Sequence, residues 1–95
     1  MVVGMAMIAV WLKIDEESVV QALHEASEKL DDVEGEVALD FSSVHRIDAI
    51  ALSAMAEFAD IADSKGVKVV LRGVNVGVYK VLKLVKLASR FSFVS

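Results

Sequence analysis

No cysteine occurs in this chain of 95 residues, which excludes disulfides, thiolate zinc sites and a thiol nucleophile. A chain without thiols suits the cytoplasm. Positive charge is also in short supply: ten Lys and Arg stand against fourteen Asp and Glu, giving a net charge of -4 and a pI near 5.0. Long-range attraction for a phosphate backbone or anionic lipid calls for a clustered basic face, so nucleic acid is not an expected partner. Long hydrophobic runs are missing too. Residues 1–12 form the only apolar stretch that resembles a targeting or membrane segment, and a spanning helix needs about 20 such residues. That stretch lacks a basic leader and runs directly into acidic residues, so it reads as a first strand, and no direct membrane insertion is expected. Glycine-rich phosphate loops, internal repeats and linkers are absent as well, which leaves a single domain over residues 1–95.

What is present is apolar. Hydrophobic residues make up 56% of the chain, charged residues 25%, and the mean hydropathy is +0.57, all of which predicts a densely packed fold. Residues 5–12 are almost uniformly apolar, the pattern of a strand covered on both faces. Asp15 is placed to cap a helix with Glu16 and Glu17 in its first turn, and Val19, Leu23, Ala26 and Leu30 give that helix one buried stripe. Val37, Ala38, Leu39 and Phe41 make a second strand. A second helix starts near Asp48, with Leu52, Met55, Ala59 and Ala62 on its buried face and Ser53, Glu57, Asp60 and Ser64 on its wet one. Ile50, Ala54 and Ile61 fall at the edge of the polar stripe and suggest a contact surface. Lys65-Gly66 closes that helix, residues 67–71 make a third strand, and Gly73 and Asn75 turn the chain into a third helix. There Val78, Val81, Leu82 and Val85 are expected inward and Lys80, Lys83 and Lys86 outward, with residues 91–94 adding a terminal strand. Strands alternating with helices through short loops predict an α/β domain with a mostly parallel central sheet, packed helices and right-handed crossovers.

Few residues invite chemistry. Asp48 reads as an N-cap and Asp40 as the organiser of a turn through a hydrogen bond. Ser42 and Ser43 read as turn formers. His45 near Asp48 suggests a general base, but no nucleophile, oxyanion donor or cofactor signature accompanies it, so no enzymatic activity and no cofactor are expected. His24 beside Glu25 reads as surface, and the two histidines have no metal-ligand spacing. Lys80, Lys83, Lys86 and Arg90 could meet an acidic partner or lipid head groups, but such a run is usually the solvated face of an amphipathic helix, and so they are read here.

Three stretches carry a family resemblance. Residues 37–42, VALDFS, are similar to the central strand of the STAS domain, which ends in an aspartate and a small polar residue. Residues 47–52, IDAIAL, occupy the place of that family's Asp-Ser-Ser-Gly-Leu signature. Residues 66–91 resemble its tail: a glycine ending a helix, a strand, a Gly-Val-Asn turn and a leucine-rich helix running to a phenylalanine. The N-terminal part departs from the pattern, since only Asp15 survives of the family's Gly-x-Leu-Asp. The resemblance implies a STAS-type fold and a non-catalytic interaction module like the bacterial anti-sigma factor antagonists. It also implies a partner: a serine-kinase-like anti-sigma factor, or alternatively the ATPase of an ABC-type lipid transporter. In partner-switching antagonists the serine after the signature aspartate is phosphorylated; here that position is Ala49, which has no hydroxyl, and Ile50 and Ala51 replace the next two residues. The expected partner-binding residues are Ser42, Ser43, Asp48, Ala49, Ile50, Ser53, Ala54 and Glu57.

Overall fold

The computed structural model describes residues 10–94. Four strands, β1 (Val10–Lys13), β2 (Glu36–Asp40), β3 (Lys68–Arg72) and β4 (Ser92–Val94), form one parallel sheet in the order β1-β2-β3-β4. Three helices connect them: α1 (Val19–Lys29), α2 (Ala49–Ser64) and α3 (Val76–Leu84). Because each right-handed crossover adds its strand on the same side, every helix falls on one face of the sheet. Val37, Leu39, Val69 and Leu71 point to that face and are buried with Val19 and Leu23 of α1, Met55 and Phe58 of α2, and Val78 and Leu82 of α3. The expected α/β fold and its parallel sheet are what is observed.

The other face of the sheet is different. Trp11, Lys13, Lys68 and Arg72 are exposed on it, and the Arg72 guanidinium lies 4.8 Å from the centroid of the Trp11 ring, a cation–π contact. The first strand is therefore not covered on both faces, since Trp11 is 51% exposed. Residues 5–9 of that expected strand lie outside the described residues.

Helix ends follow local chemistry, with one exception. A single 3-10 turn, Glu16–Ser18, precedes α1, and there the Ser18 N–H donates to the Asp15 carbonyl while the Asp15 side chain makes no cap bond. Asp15 is thus not the side-chain cap its sequence position suggests. The buried stripe of Val19, Leu23, Ala26 and Leu30 is as expected. At the end of α2, Gly66 (φ 70°) takes the left-handed position, Val67 N–H donates to the Ala62 carbonyl and Gly66 N–H to the Asp63 carbonyl. The end of α3 uses the same pair of bonds, Leu87 to Leu82 and Lys86 to Lys83, but the left-handed residue is Lys86 (φ 64°). Val85, expected inside, is 48% exposed because it lies beyond the last helical turn, and Leu87 is buried instead. Arg90 is not part of a free cationic series: its guanidinium sits 2.9 Å from Asp60 and 2.7 Å from Asp63 of α2, which push its pKa further up, Asp63 most.

Candidate functional site

The strand-turn-helix junction from β2 to α2 is assembled from three sides. Phe41 and Val44 are buried and anchor the turn, whose Val44 N–H donates to the Phe41 carbonyl at 2.9 Å. Asp40 accepts the Ser42 N–H at 3.0 Å, which with the Ser42 hydroxyl and, less, the charges of Arg72 and Lys13 holds its pKa below the ordinary value. That is the turn-forming role expected for it. Gly73, at the end of β3, lies so close that a Cβ there would come within 2.9 Å of the Ser42 Cβ. Asn75 caps α3 through the Val78 N–H at 2.8 Å and donates to the His45 carbonyl at 3.4 Å.

From the α1 side, the Glu16 carboxylate accepts the N–H of His45 at 2.9 Å and of Arg46 at 3.0 Å, across 29 and 30 residues of chain. The His45 N–H is the main cause of a lowered Glu16 pKa; partial desolvation opposes it, and the Arg46 N–H and the His45 ring add to it. This clamp had no sequence signal. Glu16 looks like any acid at a helix start, and nothing in its neighbours points to a loop so far along the chain.

Asp48 then caps α2, accepting the Ala51 N–H at 2.8 Å. Beyond it Ala49, Ile50, Ser53 and Glu57 are exposed, Ile50 at 70%, and the spacing of the last three places them along one side of the helix. Ser42 is exposed and Ser43 half-buried in the turn. Ala54 is the exception among the expected contact residues. It is buried, lining the seam between α1 and α2 with Leu23, Ser27 and Phe58, and it offers no surface to a partner. An open cleft of about 410 Å³ lies between the starts of α1 and α2, lined by Glu16, Val20, Arg46, Ile47, Asp48 and Ala51 among others. His45 is turned away from the role of a base paired with Asp48: its Nδ1 is 3.6 Å from Glu16, and Asp48 is engaged by the helix. Among the described residues no group of three His, Cys, Asp or Glu is placed to hold a metal.

Residues 13–94 match the family model described as Mlab, STAS domain. The chain belongs to the STAS domain family. Two solved structures of TM1081 share its fold. The crystal structure, of a candidate anti-sigma factor antagonist from Thermotoga maritima, is 20% identical with a TM-score of 0.69, covering 86% of this chain and 71% of that one. The NMR structure is 21% identical with a TM-score of 0.73, covering 90% and 72%. No curated protein matches in sequence. In this STAS domain the junction just described has Asp48 at the cap and Ala49 as the first residue of α2.

Proposed function

We propose that this STAS domain is a non-catalytic, cytoplasmic interaction module that docks on a kinase-like anti-sigma factor through the turn at Ser42 and Ser43 and the start of α2. The observation that carries the reading is Ile50, a large apolar side chain 70% exposed at the first turn of α2, on a junction pinned by Asp40, Glu16 and Asn75. A held loop loses little freedom on binding, so contact energy is not consumed in ordering it. Ile50 supplies the apolar centre and Ser53 and Glu57 the polar rim. Ala49 gives a kinase no hydroxyl, so docking is constitutive at this position, or is controlled at another residue such as Ser42 or Ser43.

Ala49 also favours a second reading, in which the domain is a fixed subunit bound to the ATPase of an ABC-type lipid transporter and needs no phosphoserine. Affinity capture of the tagged protein from its host, with ATP and with ADP, separates the two. A small histidine-kinase-like ATPase supports the first, and an ABC ATPase with its permease replaces it with the second. With the kinase in hand, the Ala49→Ser variant should gain one phosphate by mass spectrometry while the parent chain gains none at this position; an unmodified variant removes the kinase from this site.

A further inference from the structure

All fourteen carboxylates of the sequence occur at or before Asp63, where they face three cations, and residues 64–95 carry seven cations and no Asp or Glu. The net charge of -4 therefore conceals a molecule divided by sign. The fold turns that division into geometry, because β1 and β4 are opposite edges of the sheet and α3 lies between β3 and β4 in the chain. Several cations of this half are already engaged: Lys65 with Asp31, Arg90 with Asp60 and Asp63, and Arg72 on Trp11. Lys80, Lys83 and Lys86 are exposed and form no ion pair among the described residues. Around them stand Val76 at 69%, Leu84 at 80%, Val85 at 48% and Tyr79 at 39% exposure. The outer face of α3 thus consists of lysines and large apolar side chains, the clustered basic face that the net charge alone argues against.

We propose that this face seats the domain on an anionic bilayer surface, with Val76, Leu84 and Val85 among the headgroups and the three lysines on lipid phosphates. Lysine is depleted from the cores of protein interfaces, whereas at a bilayer its stem lies along apolar surface while the ammonium meets phosphate. Leu84, at 80% exposure, borders a shallow open depression with Lys80 and Lys83, so apolar and cationic groups meet the headgroup layer at one place. Screening over about 8 Å lets the bilayer sense the nearby lysines more than the acidic far edge. The contact is peripheral, since no helix of the described residues is long and apolar enough to cross a membrane.

Sedimentation of the intact protein with vesicles tests this directly, using phosphatidylcholine alone and phosphatidylcholine with one-third phosphatidylglycerol, at low and high salt. The protein should pellet only with the anionic vesicles and be released by high salt. Lys83→Gln should weaken binding about fivefold, and both Lys80→Glu/Lys83→Glu and Leu84→Ser should prevent it, with the circular dichroism spectrum unchanged. Failure to pellet with phosphatidylglycerol, equal binding to neutral vesicles, or full binding by both variants would overturn the proposal. So would a salt-sensitive dimer, or capture of an acidic protein, that depends on Lys80 and Lys83 while vesicle binding is absent; either result assigns the face to a protein.

Discussion

Glu16 ties the start of α1 to the loop before α2 through two backbone N–H groups, and that bond has a pH signature. A carboxylate whose pKa is lowered in the folded state contributes stability above its ordinary pKa, and the contribution is lost as pH falls through the lowered folded value. The stability difference between the parent chain and Glu16→Gln should be largest at neutral pH and shrink toward zero in acid. Urea unfolding across that range checks it, and a constant difference contradicts the clamp. Lys86 is the other telling residue, a non-glycine held at φ 64° where helix ends favour glycine. Lys86→Gly should stabilise the domain by about 1 kcal/mol, read as a rise in the urea midpoint. The Asp48 cap was legible because its partner N–H lies three residues on; Glu16 and Lys86 were not, since one acts through tertiary approach and the other through the geometry of a stop that glycine usually marks.

At the scale of elements, the packing of β3's end against the turn after β2 makes Gly73 a structural joint. Gly73→Ala would both hold alanine at φ 72° and drive its Cβ into Ser42, for a loss of about 2–3 kcal/mol by urea unfolding and displaced amide resonances at Ser42 and Ser43. An unchanged spectrum argues against that contact. Ile50 and Ala54 show why helical periodicity located this surface only in part. They are one turn apart and both sit at the margin of the polar stripe, yet α1 covers Ala54 and leaves Ile50 free. Periodicity reports one direction of burial, whereas α2 packs on the sheet and on α1 at once, so its buried arc is wider than a single stripe and includes Ala51 and Phe58. Ala54→Glu should accordingly unfold the domain, costing about 3 kcal/mol or more, where Ile50→Glu should leave its melting temperature unchanged. Strands β2 and β3 were readable because their central residues are apolar without interruption. The exposed Trp11 of β1 was not, because an apolar run at a sheet edge looks the same in sequence as one at its centre.

The whole molecule is a one-sided STAS domain: helices on one face of a parallel sheet, an acidic first half, a basic last third, and the junction between β2 and α2 open to solvent at the start of α2. In the function proposed above, a partner binds this junction through Ile50. The most direct test is the affinity of the captured ATPase for Ile50→Glu relative to the parent chain, measured by calorimetry on protein whose melting temperature is shown to be unchanged. Burial of one isoleucine and the penalty for a buried carboxylate predict a loss of at least about a hundredfold. Equal affinity for the two proteins would place the partner elsewhere on the domain and remove Ile50 from the interface.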